Sequence, residues 1–449
     1  MALRYNHQKR EISDTTNRRN TPIPVSEVEV NASRSLQRCY PWVVIAIAFL
    51  TVGVAFGTRN AFAVFLIAVI EEFHWSRALA SGALMLGSVM WTMSAPLIGI
   101  LLDRLGPRVI VSGGALIMAA GFVIAASANS ALPFYLGMGV FMGVGFAALP
   151  MTVQATFLSN WFVRRRGMAI GAAASGIGVG ILLVVPWTQQ LIATYGWRAA
   201  MSILAAVLAF VVAPLNYFFQ RQKPDEMNLK PDFGEVLPQN SETKARSAAL
   251  NGPTLREALR TWHFWALAVG VFSGAIPLHL VLIHQVAAVN DAGLSRELAA
   301  LGLGLIGLFT APSMLFMGLL ADRIGRQSSY LLGSLALMTG ILLLMLITDQ
   351  SRHWLLYVFP IFTAIGFSSR QSLYPTIAAD LFHGKAFGAI IGAISLFIGA
   401  GAGIGPWLGG VIHDWTGSYY WAFWVAQALA LISVAFIRMA GPERQRYIG

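Results

Sequence analysis

One cysteine, Cys39, stands in a chain of 449 residues, so no disulfide framework and no cysteine-based metal site can form within one chain. Charge is also scarce. Only 11% of residues are Asp, Glu, Lys or Arg, against about 25% in an ordinary soluble chain, which excludes a water-facing surface over most of the molecule. No acidic residue lies deep inside an apolar run: Glu71, Glu72, Asp291, Glu297, Asp380 and Asp414 all stand near run ends. No Ser/His pair or metal-ligand group shares a depth either, so an intramembrane enzyme is disfavoured and neither a metal nor a cofactor is expected. The first 39 residues lack the apolar core of a signal peptide and read as a flexible, basic tail.

What the chain does have is apolar length, with 56% of its residues hydrophobic. A membrane-spanning helix needs about 20 apolar residues, so roughly twelve helices account for that share. The runs predict helices at 42–70, 77–102, 109–128, 132–159, 167–193 and 198–219, and again at 262–289, 297–321, 328–348, 353–379, 386–412 and 420–440. The expected organisation is a tail (1–39), a six-helix bundle (40–219), a polar linker (220–260) with at most a short amphipathic piece near Leu255–Leu259, a second bundle (261–440) and a short tail (441–449). The net charge of +11 does not point to nucleic acid, because the basic residues sit between apolar runs. If the amino terminus is cytoplasmic, 25 of the 31 Lys and Arg fall on the cytoplasmic side, four (Arg77, Arg198, Arg296, Arg352) outside and two, Arg59 and Arg370, within spans. The positive-inside rule then puts both termini in the cytoplasm, and the expected location is the plasma or inner membrane.

The halves repeat at a register of about 220 residues. Gly99 to Arg108, containing Asp103, Arg104, Gly106 and Arg108, answers Gly318 to Arg326, containing Asp322, Arg323 and Gly325; Pro186-Trp187 answers Pro406-Trp407. Repeated halves imply a pseudo-two-fold pair with a site between them near the midplane. The two Asp-Arg-x-Gly loops resemble the loop signature of the major facilitator superfamily, over Trp42 to Met439. Gly106 and Gly325 suit tight turns, and Asp103, Arg104, Arg108, Asp322 and Arg323 are candidates for a conformational motif that ties helix ends. The run from Trp161-Phe162 through Arg164, Arg165 and Arg166 to Gly171, Ala173, Ser175 and Gly176 resembles the fifth-helix signature of monocarboxylate transporters. The resemblance implies an all-α membrane protein of twelve helices in two pseudo-symmetric bundles, and not an enzyme.

Two arginines carry the chemistry. Arg59 lies in Phe56-Gly-Thr-Arg59-Asn60, similar to the family segment whose basic first-helix residue takes part in transport. A mid-membrane arginine costs roughly 2.5–3.5 kcal/mol on insertion scales, so it usually faces protein or a water-filled cavity. Arg370 lies in the most polar part of any span, with Gln371 beside it and Tyr374 at i+4 on the same face. A guanidinium beside a hydroxyl suits bidentate capture of a carboxylate. In the superfamily the first, fourth, seventh and tenth helices line the cavity, so the two arginines are expected from opposite halves. Snorkelling for Arg59 and a structural hydrogen-bond hub for Arg370 are the plainer alternatives. His279, two residues after Pro277, is the titratable candidate; Asn60 and Gln154 are candidate hydrogen-bonding residues. The sequence departs from the monocarboxylate transporters in the eighth helix, where Gly307 and Ala311 replace the expected Asp and Arg, and Arg370 is the candidate replacement.

These readings converge on a secondary transporter of a small organic anion, a monocarboxylate in the first instance, using alternating access. A proton can travel as co-substrate, whereas an anion exchanger needs none. The alternatives are efflux of drugs or other amphipathic compounds on the same fold, and a non-transporting membrane sensor. The expected partners are the anion and the lipid bilayer, with no nucleic acid.

Overall fold

The computed structural model describes residues 25–162, 165–227, 229, 253–382 and 386–441, and leaves out the side chains of residues 25–38 and Arg166. The first 24 residues of the expected tail, Arg164, most of the expected linker, Lys385 and residues 442–449 lie outside the described residues. Ten stretches are long and apolar enough to cross a membrane. Of these, Arg77–Ala126 holds two spans, broken by the non-helical backbone of Gly106. Leu355–Leu381 adds the twelfth; its polar run around Arg370 lowers its hydropathy below that of the others.

In chain order these are α1 (Val25–Asn60, continued after Ala61 by Phe62–Phe73), α2 (77–105), α3 (107–126), α4 (Ala131–Trp161), α5 (Gly167–Tyr195) and α6 (Trp197–Phe219). The second half gives α7 (Trp262–Asp291), α8 (Arg296–Ile324), α9 (Arg326–Met345), α10 (Leu355–Leu381), α11 (Phe387–Thr416) and α12 (Tyr420–Met439). Between the halves, Thr254 and Glu257 form a capping box on the short helix Leu255–Ala258. One boundary differs from expectation: α1 starts at Val25, inside the stretch read as a tail. Hydropathy locates the part of a helix that meets lipid, whereas a helix already nucleated in the membrane propagates at little cost into polar residues.

The repeat is visible in the backbone. Gly106 (φ 74°) and Gly325 (φ 88°) both turn the chain with positive φ between consecutive spans, a conformation that side chains with a Cβ rarely adopt. Ser76 and Ser295, at matching places in the two halves, cap α2 and α8 by accepting from the N–H of Leu79 (3.1 Å) and Leu298 (3.3 Å).

Small residues decide where helices meet. Lipid is as apolar as leucine, so helices associate through close backbone approach and polar contacts rather than hydrophobic burial. Within the first bundle, a Cβ on Gly53 of α1 would stand 2.9 Å from the carbonyl oxygen of Gly176 on α5. Between the bundles, Gly307 of α8 lies against α5, its Cβ position 2.9 Å from the nitrogen of Leu182. Gly403 of α11 lies against Ser88 and Met85 of α2, and Gly410 lies 2.7 Å, measured the same way, from the backbone nitrogen of Ala78. At the opposite end, Gly99 of α2, Gly167 and Gly171 of α5, Gly318 of α8, and Gly388 and Gly392 of α11 have nothing within 4 Å. The bundles are therefore sealed at the end marked by Arg77 and parted at the end marked by Asp103.

Two consequences are measurable. Gly325→Ala forces a side chain into a conformation costing ~1–3 kcal/mol and is expected to lower the thermal midpoint in detergent, whereas Gly318→Ala, in open space, is not. Gly307→Leu is expected to lower it further, because α5 and α8 must separate to admit the side chain.

Candidate substrate-binding site

Arg59 stands two residues before the one-residue interruption of α1 at Ala61 and is 6% exposed. Among the described residues it makes one hydrogen bond, from Nη2 to Ser88 Oγ of α2 at 3.2 Å. The Ser88 hydroxyl can accept because it donates its own hydrogen to the Leu84 carbonyl at 3.1 Å. The guanidinium lies 5.5 Å from the Trp91 ring centre and 5.4 Å from that of Phe146 on α4. Phe56 meets Phe146 edge-on, and so does Trp91, so two aromatic rings flank the charge and Phe56 packs against one of them. Each cation–π contact contributes about 0.5–2 kcal/mol, enough to hold the guanidinium in place but not to satisfy its N–H groups. No carboxylate among the described residues ion-pairs with Arg59.

His279 of α7 faces the same region from the other bundle. It is partly exposed. Its Nδ1 donates to the Ala275 carbonyl at 2.9 Å, so the neutral ring keeps an accepting lone pair on Nε2. Asn60 is turned back on its own helix, Nδ2 donating to the Phe56 carbonyl at 2.9 Å. Gln154 is fully buried on α4; its Nε2 reaches the Leu149 carbonyl at 3.4 Å, and its Oε1 has no protein partner among the described residues.

Arg370 is placed differently from expectation. It is 2% exposed, and its donors are spent inside the second bundle. Nε bonds the Gly274 carbonyl of α7 (2.9 Å) and Nη1 the Gly366 carbonyl (3.0 Å), with Ser369 Oγ and Ser334 Oγ of α9 each at 3.5 Å. The guanidinium also lies 5.4 Å from the Tyr330 ring centre. Nor is Tyr374 held ready beside it to capture an anion: its hydroxyl lies 3.1 Å from that of Tyr330, which in turn bonds Ser433 Oγ at 2.6 Å. Gln371 is exposed, on another face of α10. A pair at i and i+4 does share a helix face, but sequence spacing does not say that the face is turned toward other helices. The geometry is that of an internal hub knitting α7, α9 and α10 together.

The loop residues also divide. Asp103, Arg104, Asp322 and Arg323 are exposed at the parted end. Arg108 donates from Nε to the Tyr217 carbonyl of α6 at 2.7 Å. Arg326, which the site reading omitted, is its counterpart: it donates to the Thr376 carbonyl of α10 at 2.7 Å and ion-pairs with Asp380. The repeat register pairs Arg108 with Gln327 and Arg326 with Pro107, so the two arginines correspond in role and lie one position apart.

A second omission is larger. At the sealed end Arg77 of α2 meets Asp291 of α7 (2.9 Å) and the Tyr419 hydroxyl (2.6 Å), while Asp414 of α11 accepts the backbone N–H groups of Arg77 and Ala78 at 2.9 and 2.8 Å. Arg296 of α8 ion-pairs with Glu71 of α1. All of these contacts join one bundle to the other. In sequence they are isolated charges at helix ends, and only their shared end hints at pairing.

The whole chain has recognisable relatives. The family model of the Major Facilitator Superfamily matches residues 47–285 and 272–448. Monocarboxylate transporter 13 of Rattus norvegicus is 26% identical over 393 residues, covering 87% of this chain and 86% of its own length. Monocarboxylate transporter 11 of Homo sapiens is 28% identical over 411 residues, covering 90% and 83%. Among solved structures, a bacterial homolog of the human lysosomal transporter Spinster, in an inward-facing and occupied conformation, superposes with a TM-score of 0.67 at 15% identity, covering 90% of this chain and 97% of its own. A D-xylose-proton symporter gives 0.67 at 15% identity, covering 90% and 98%. The chain belongs to the major facilitator superfamily of membrane transporters, and within it resembles the monocarboxylate transporters.

Proposed function

We propose that the protein carries a small organic anion, a monocarboxylate, across the plasma or inner membrane by alternating access, with both termini in the cytoplasm. The observation that carries this reading is Arg59: a buried guanidinium of the first bundle, held by aromatic rings and one serine of α2 and α4, with no protein carboxylate to neutralise it among the described residues. A carboxylate is the ligand whose geometry matches the unoccupied donors of that fork. Relatives named as monocarboxylate transporters support the same class. With the basic residues cytoplasmic, the parted end opens inward and the sealed end faces outside. The structure then corresponds to an inward-facing state, and closing the glycine-lined faces of α2, α5, α8 and α11 at the parted end generates the other state.

In this reading Arg59 binds the anion, and Trp91, Phe146 and Phe56 contact its apolar part. His279 contributes the lone pair of Nε2, which accepts from the substrate's carboxylic acid form or takes up its proton. Arg370 stays in place and supplies positive potential from within the second bundle. Proton symport in this form needs no buried acid.

The test is uptake of a labelled monocarboxylate panel into proteoliposomes, with and without an inward proton gradient. Removing one partner of a buried charge pair costs about 2–5 kcal/mol, so Arg59→Ala is expected to lower uptake efficiency at least ~30-fold while the protein still purifies as folded. Arg59→Lys keeps the charge but not the fork and is expected to fall between. Arg370→Gln is expected to act first on stability, lowering the thermal midpoint, because the Gly274 and Gly366 carbonyls lose their donors. Absence of uptake for every acid under every gradient defeats the reading and favours efflux of amphipathic compounds.

A further inference from the structure

At the sealed end the hydrogen bonds fix where each proton sits. The Pro406 carbonyl can only accept, so His284 Nε2, at 2.6 Å, must donate to it. In the neutral ring Nδ1 is then an acceptor, and the Tyr419 hydroxyl, at 2.9 Å, donates to it. That leaves the Tyr419 oxygen free to accept from Arg77 Nη1 at 2.6 Å. Arg77 Nη2 reaches Asp291, whose other oxygen lies 3.6 Å from His413 Nε2. Asp414 holds the N-terminus of α2 through two backbone N–H groups. This chain runs from the second bundle, at α7, α11 and the start of α12, to α2 of the first.

From these contacts we propose that His284 is the proton-binding site of the outer gate: a proton taken up on Nδ1 releases Arg77 and lets the bundles part at this end. This deepens the transport reading and rests on it for orientation. The added proton converts the acceptor of the Tyr419 hydroxyl into a donor. Two donors then converge on one oxygen, the hydroxyl hydrogen loses its place, and an imidazolium stands one hydroxyl away from a guanidinium. The groups facing His284 are Tyr419, Arg77 from α2, and His413 and Asp414 from α11, while Asp291 of its own helix pairs with Arg77 and His413. Arg77 stands one hydroxyl away from the ring, so parting the bundles, which takes Arg77 away, favours the added proton. The half-exposed Asp291 and the His413 ring, which packs on Tyr419, lie between the buried His284 and water. Because protonation favours the parted arrangement, linkage requires that the parted arrangement bind the proton more tightly. Protons from outside thus open the gate to that side.

The test reads the gate and uses no organic substrate. Spin labels are attached at Ser130→Cys, in the first bundle, and Ser351→Cys, in the second, both exposed, in a Cys39→Ser background. Pulsed electron paramagnetic resonance then measures their separation in nanodiscs at about pH 7.5 and about pH 5.5. The expected result is one short separation at the higher pH and an added longer component at the lower. His284→Gln, whose amide can donate to Pro406 and accept from Tyr419, is expected to keep the short separation at both pH values, which also shows that it is folded. His284→Ala is expected to show the longer component at both. Separations that do not change with pH in the parent, or that still lengthen with acid in His284→Gln, overturn the proposal. Failure of anion uptake bears on the transport reading and leaves this measurement intact.

Discussion

Two apolar helix faces gain nothing by leaving lipid for one another, so a membrane bundle depends on contacts in which backbones come close or polar groups pair. In this protein both kinds of contact between the bundles lie between mid-helix and one end. Gly307 against α5 and Gly403 and Gly410 against α2 supply the close approach; Arg77 with Asp291, Tyr419 and Asp414 supplies the pairing. At the other end the glycines face open space. The parting of the bundles at the Asp103 end follows from that asymmetry, whereas the setting of Arg59 is built within the first bundle, from α2 and α4.

The two intramembrane arginines meet the same electrostatic problem in different ways. Arg370 is surrounded by carbonyl and hydroxyl oxygens, so its charge is solvated by the protein itself. Arg59 has aromatic faces and one hydroxyl, which steady it without completing its hydrogen bonds. A site that binds and releases an anion needs the second kind of environment: a fully satisfied guanidinium has nothing left to offer, whereas an incompletely satisfied one gains on binding.

Much of the candidate site could be read in the sequence because burying a charge in an apolar run demands a reason, and Arg59, His279 and Arg370 all stood out on that ground. What could not be read was which side chains their donors would meet. Tyr374 shares a face with Arg370 on the helix, yet α9 and α12 bring Tyr330 and Ser433 to its hydroxyl. The network around Arg77 was hardly legible, since its members come from residues 77, 284, 291, 413, 414 and 419, most of them ordinary at a helix end and His284 buried inside α7.

The sequence by itself determined the number of spans, their order, the internal repeat and the two glycine turns. Each of these follows from local requirements: enough apolar length to satisfy the backbone within the bilayer, and a positive φ where the chain must turn tightly. The tertiary structure decided which end of the bundle is sealed, which arginine is spent on the fold and which is left with open donors, and how His284 becomes linked to Arg77. Those outcomes depend on contacts between different helices, from 29 positions apart for Arg59 and Ser88 to 342 for Arg77 and Tyr419, and no local pattern encodes the distance between two helices.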